Sequence, residues 1–205
     1  PALSCITSPN SPNGNWCRVY DIKKICSAFS GLVVLDEAYW RFAKSNCIDG
    51  LFDLQNSVFM HTLSKIGLAG IRLGALIGQA QWLEPLERVR MPYNIGSLTQ
   101  ATACFAIEHD EHFAAQVDSI CASRQKLQTQ LQQLSAVHVW PSETNFLLFR
   151  VASNGSEIHR RLREKNIAIK NLDGGHPALK NCLRVSIGTD AENELFIQAL
   201  KDALG

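Results

Sequence analysis

Leu32-Val33-Val34-Leu35-Asp36-Glu37-Ala38-Tyr39 is the stretch that decides how the rest of the chain is read. Four consecutive apolar residues without alternation describe a strand buried on both faces, as in a parallel sheet, and an acidic residue closes it. Upstream, residues 19–29 carry the mixed apolar spacing of a helix. Before them, Ala2-Leu3-Ser4-Cys5-Ile6-Thr7 reads as a short strand that Pro1 opens, ended by the turn-rich Ser8-Pro9-Asn10-Ser11-Pro12-Asn13-Gly14. Downstream, residues 57–61 and 71–78 read as further strands, the latter with two glycines. Strands alternating with helices predict an α/β architecture with a mostly parallel sheet.

From Ser97 the character changes. Two long helical stretches run to Leu134, the second with apolar residues at Ile120, Leu127, Leu131 and Leu134. Strands are expected over residues 137–140, 146–149 and 183–187, with a shorter one at 167–169. Helices are expected over residues 157–164 and 191–204. This order describes a smaller C-terminal α+β domain, so the chain divides into residues 1–112 and 113–205.

Composition sets outer limits. At 46% hydrophobic and 19% charged residues, the 205-residue chain can bury a sizeable core. A formal charge of +1 supplies no electrostatic reason for a nucleic-acid or acidic-membrane partner. No apolar run approaches the roughly 20 residues that span a bilayer, and no basic-then-apolar leader is read. The seven cysteines form no CxxC pair, and Cys5 and Cys104 lie in apolar stretches. Reduced, buried thiols in a cytoplasmic protein are the expectation.

Three features fall where an α/β sheet places a site, at the carboxyl ends of its strands. They are the Ser8–Gly14 loop, Asp36 with Tyr39, and Thr62-Leu63-Ser64-Lys65 with Arg72 seven residues on. A lysine flanked by hydroxyls, near an arginine, combines an amine nucleophile with an anion site. Singly each is weak, because an acidic residue ending a strand is usually a helix cap and a Ser-Lys pair is usually a solvated loop. His109 and His112, in His-Asp-Glu-His, read as helix surface and not as metal ligands, and no metal site is expected. Trp16, Trp40, Trp82 and Trp140 read as packing residues, while Asn145 either faces a site or opens a strand.

Taken in order, these segments resemble the fold-type I pyridoxal-phosphate transferases of aminotransferase class I/II, most closely the histidinol-phosphate aminotransferase branch. The resemblance is carried by residues 8–14, by Val34-Leu35-Asp36-Glu37-Ala38-Tyr39, and by the lysine segment from His61 through Lys65 and Arg72 to Gly74. Residues 141–150 and Leu183-Arg184-Val185-Ser186-Ile187-Gly188 add to it. It implies a partial large cofactor-binding domain and a small C-terminal domain, because the family's full chain begins well before Pro1. It also implies a homodimer whose site binds pyridoxal 5'-phosphate.

By the same resemblance, Lys65 forms a Schiff base with the cofactor and then shuttles the α-proton. Asp36 keeps the pyridine nitrogen protonated, and Tyr39 donates to the ring oxygen. Ser64 and Arg72 hold the phosphate, with Thr62 as a lesser contributor. Arg184 binds a substrate anion and Lys170 the substrate phosphate. Two positions depart from the family pattern. Ser11 stands where asparagine usually faces the ring oxygen, with Asn10 one residue earlier as its substitute. Lys170 stands where some relatives have arginine, keeping charge without a bidentate fork. The implied reaction converts histidinol phosphate and 2-oxoglutarate to imidazole-acetol phosphate and glutamate, in histidine biosynthesis. A phospho-amino-acid decarboxylase, an aromatic aminotransferase and a catalytically silent fragment are the rival readings.

Overall fold

The computed structural model describes residues 2–205; Pro1, read above as opening the first strand, lies outside the described residues. The chain forms two compact units. The first holds residues 2–10 and Trp16–Val117, the second Ser11–Asn15 and Asp118–Gly205.

In the first unit, strands β1 (Leu3–Thr7), β2 (Leu32–Asp36), β3 (Ser57–Thr62) and β4 (Gly74–Gly78) lie side by side in sequence order. The β1–β2 and β2–β3 pairs are parallel, and β3–β4 is antiparallel. The register sets Thr7 beside Asp36, and Asp36 beside Met60, so three strand ends meet at one edge. Helices α1 (Val19–Ala28) and α2 (Ile48–Leu51) cover one face, burying Ile22, Cys26, Cys47 and Leu51 against Val33, Leu35 and Phe59. Burial along β2 alternates, Val33 and Leu35 facing that cover while Leu32 and Val34 are only half-buried, so the strand expected to be buried on both faces is fully buried on one. Helices α3 (Ala80–Val89) and α4 (Ser97–Glu108) follow, and α5 (Asp110–Gln132) runs on into the second unit.

The second unit packs α5, α6 (Gly155–Glu164) and α7 (Asp190–Leu204) with an antiparallel sheet of order β5-β6-β8-β7. Its strands are β5 (Val137–Val139), β6 (Phe146–Val151), β7 (Lys170–Asn171) and β8 (Cys182–Ser186). Leu127 and Leu131 of α5, Leu147 and Phe149 of β6, Leu162, Leu183 and Leu200 form a solvent-free core. Helix α7 starts where Thr189 accepts from the Glu192 N–H while the Glu192 side chain accepts from the Thr189 N–H. That reciprocal cap satisfies two donors that a helix start otherwise leaves bare.

Three expectations need correction, and one helix went unread. The strand expected over residues 71–78 begins only at Gly74, because Ala69–Ile71 forms a 3₁₀ turn and Arg72 takes a left-handed φ of 54°. Residues 167–169 are irregular, and the short strand falls instead on Lys170–Asn171, which pairs with β8. Helix α3 forms despite Pro85 and was not anticipated. Lastly, Cys5 and Cys104 are exposed, whereas Cys26, Cys47 and Cys182 are buried. Cys5 is exposed on β1, at one end of the sheet order, and Cys104 on a face of α4 that nothing covers.

Candidate functional site

In the first unit the site is built at the ends of β2 and β3. Asp36 is the last residue of β2, half-buried, and its Oδ1 accepts from the Ala38 N–H at 3.0 Å, which tightens the turn that follows. Tyr39 closes that turn and precedes a 3₁₀ segment, Trp40–Phe42. Lys65 lies in the turn after β3, and its Nζ sits 5.1 Å from the centroid of the Tyr39 ring. The two strand ends therefore bring the lysine and the tyrosine together.

The hydroxyls form a second group. Thr62 Oγ1 donates to Ser64 Oγ at 2.9 Å and accepts from the Ser64 N–H at 3.1 Å, closing a compact hydroxyl turn one residue before Lys65. Arg72 is placed differently. It is exposed, and its guanidinium donates to the Ala69 carbonyl at 3.4 Å within its own turn. Asn10 is half-buried in the loop after β1. Buried Ser8 anchors that loop, accepting from the Cys17 N–H at 2.9 Å.

Beneath the strand ends lies a pairing that the sequence reading missed. Glu37 is fully buried, and its carboxylate accepts from the Cys47 N–H at 2.5 Å and meets His61 Nε2 at 2.9 Å. The Trp40 ring stacks on His61 at 5.0 Å with the planes 20° apart. Burial, and after it the Glu37 carboxylate, push the neighbouring Cys47 thiol up to about 12.

In the second unit, Arg184 of β8 donates to Ser11 Oγ at 2.9 Å, with its guanidinium 4.7 Å over the Phe146 ring. Lys170 is exposed on β7, directly opposite Arg184 in the register. The Ser11–Asn15 loop is sewn to this unit at Gly14, whose carbonyl accepts from the Glu143 N–H at 2.8 Å. Asn145 serves the strand entry, its carbonyl accepting from the Ile187 N–H at 2.9 Å. His109, Glu111 and His112 hold their ligand-type atoms within 4.8 Å of one another, but His112 and Glu111 are exposed. Among the described residues, no helix is long and apolar enough to cross a membrane.

The profile described as aminotransferase class I and II matches residues 3–200. The chain belongs to that family.

Among the relatives of this aminotransferase-family chain, histidinol-phosphate aminotransferase 2 of Nitrosococcus oceani is 45% identical over 202 residues, 98% of this chain. The chain spans 56% of that relative's length. Among solved structures, histidinol-phosphate aminotransferase from Sinorhizobium meliloti, in complex with pyridoxal-5'-phosphate, superposes with a TM-score of 0.88 at 27% identity. The match covers 99% of this chain and 57% of that one. L-threonine-O-3-phosphate decarboxylase from Porphyromonas gingivalis shares the fold, with a TM-score of 0.86 at 23% identity, over 98% and 63% of the two chains. The fold-type I α/β architecture expected from the motifs is the one found.

Proposed function

We propose that this chain is part of a pyridoxal-phosphate-dependent aminotransferase that acts on histidinol phosphate and 2-oxoglutarate. The observation that carries the reading is the likeness, at 45% identity along nearly the whole chain, to a protein named for that activity. The donor set fits the cofactor's chemistry. An aldehyde-bearing ring with a pyridine nitrogen, a hydroxyl and a phosphate calls for an amine, a carboxylate, a phenol and anion donors. Lys65, Asp36, Tyr39 and the Thr62–Ser64 turn offer these at adjoining strand ends.

When bound, the cofactor supplies an electron sink for the substrate's α-carbon. Lys65 would hold it through the ε-amine and, once released by substrate, carry the α-proton on the same nitrogen. Asp36 would favour the protonated ring nitrogen by placing a negative charge beside it. Tyr39 would hold a proton at the ring oxygen. Ser64 and Arg72 would donate to the phosphate, with Asn10 a further contact; Arg72 would have to leave the Ala69 carbonyl to do so. Arg184, already oriented by Ser11 and Phe146, would take a substrate carboxylate, and Lys170 a substrate phosphate. A homodimer in the cytoplasm completes the proposal.

Reduction of the intact protein with borohydride, followed by peptide mapping, tests the cofactor assignment. A pyridoxyl label on Lys65 is expected, and a label on Lys44 or Lys170 would overturn it. Turnover of histidinol phosphate with 2-oxoglutarate tests the substrates. Release of carbon dioxide from a phosphorylated amino acid, without transamination, would favour the decarboxylase reading instead.

A further inference from the structure

We propose that His61, with Glu37 and Trp40, positions the Asp36–Tyr39 turn against the Lys65 turn. The proposal rests on the reading of Asp36, Tyr39 and Lys65 given above. Glu37 directly follows Asp36, and His61 directly precedes Thr62. Adjacent residues of a strand point to opposite faces. Glu37 and His61 therefore share the side of Leu35 and Phe59, both without solvent exposure, and Asp36 and Thr62 take the other.

A carboxylate taken out of water needs matched donors. The Glu37 side chain is 1% exposed, and its two oxygens meet different elements: the Cys47 N–H at the start of α2, and His61 Nε2 on β3. Both contacts are directional, so they fix the rotation of the carboxylate as well as its position. Trp40, stacked on the other flank of His61, follows Tyr39 by one residue, and its N–H donates to the Glu37 carbonyl at 3.0 Å. Glu37 and Trp40 thus clamp the turn from both ends, one bonded to His61 and one stacked on it, with Tyr39 between them beside Lys65.

Stability alone is a poor reason for this arrangement, because a buried polar pair of this kind is often matched or bettered by apolar residues of the same volume. An apolar pair would leave the turn free to rotate. A cavity of about 460 Å³, lined in part by Trp40, His61, Leu73 and Ala103, adjoins the imidazole. That space leaves room beside the imidazole for substitutions at His61.

The test uses the intact protein with three variants. His61→Leu removes the donor, His61→Gln retains an N–H, and Trp40→Leu removes the stack while leaving Glu37 paired. The readouts are the pyridoxyl label on Lys65, the pH midpoint of the bound cofactor's absorbance, and kcat separately from KM. The Leu variant at position 61 is expected to keep the label, shift the midpoint, and lose on the order of ten- to a hundred-fold in kcat with KM little changed. The Gln variant should recover most of both. If His61→Leu does not fold, Trp40→Leu carries the test, with a smaller shift of the same kind. An unchanged midpoint and kcat, a loss through KM alone, or no recovery by glutamine would overturn the proposal. Failure to label Lys65 in the unaltered protein would instead overturn the assignment on which it rests.

Discussion

Gly14 is the position where one methyl group tests how the second unit is assembled. Its φ of +73° lies in the left-handed region, and a Cβ there would stand 2.4 Å from Ser142 Oγ and 2.8 Å from Ser142 Cβ. The backbone penalty for a non-glycine residue is about 1–2 kcal/mol. Forcing extra volume into a packed site costs a further 1–3 kcal/mol or so. Ser142 has little room to retreat, since its Oγ donates to the Phe146 carbonyl at 2.7 Å and accepts from the Thr144 N–H at 3.1 Å. Gly14→Ala should therefore destabilise the second unit by about 2–5 kcal/mol, measured by urea unfolding. Ser142→Gly in the same chain relieves the overlap but not the backbone strain, so the double variant should show a coupling of about 1–2 kcal/mol. Because the loop carries Ser11 to Arg184, KM for 2-oxoglutarate should rise as well. A Gly14→Ala protein within about 0.5 kcal/mol of the parent, with unaltered KM, would refute this account of the loop.

Other outcomes follow from the same geometry. Arg184→Ala should weaken use of 2-oxoglutarate, and Lys170→Ala mainly that of histidinol phosphate, by about 1.5–3 kcal/mol for a lost charge-assisted hydrogen bond. Equal effects on both substrates in steady-state kinetics would contradict that division. Asp36→Asn should leave the cofactor bound while slowing α-proton removal by orders of magnitude, seen as loss of hydrogen–deuterium exchange at the α-carbon. Cys47 ionises near 9.0 when unfolded and only near about 12 when folded. Its contribution to stability is therefore complete below pH 9.0 and lost as pH rises toward about 12. Urea midpoints should fall more steeply above pH 9.0 in the parent than in Cys47→Ala, and parallel curves would dispose of the effect.

The parts of the fold legible in the sequence were those written in local chemistry. The 32–35 run reads as a strand and is one, though only Val33 and Leu35 are fully buried, and the Ser64-Lys65 turn follows β3 as its hydroxyl and glycine residues suggest. Features made by distant partners left no local trace. His61 meets Glu37 across 24 residues, and Arg184 meets Ser11 across 173. Nothing in either neighbourhood encodes the other. Glu37 did stand inside the deciding stretch, and an acidic residue directly after a buried strand was the one available hint. Helix α3 was hidden for the opposite reason: Pro85 argues locally against a helix interior, yet the helix forms with its Trp82 indole donating to the Gln55 carbonyl at 2.6 Å. Cys5 and Cys104 misled because apolar neighbours in sequence say nothing about which side of an element is covered.

The allegiance of Ser11–Asn15 to the second unit bears on how the protein is made. A ribosome releases this five-residue strap well before the residues of the second unit that hold it. Its anchors at Ser142 and Arg184 follow much later, the latter 173 residues on. At a synthesis rate of about 5–20 residues per second, the strap waits roughly 10–35 s for Arg184 to emerge. Through most of that interval β1 and β2 are both available to pair, while Ser11–Asn15 still lacks the partners that hold it. Two successive residues, Asn10 and Ser11, thus belong to different moments of assembly, the second waiting for the last strand of the unit it joins.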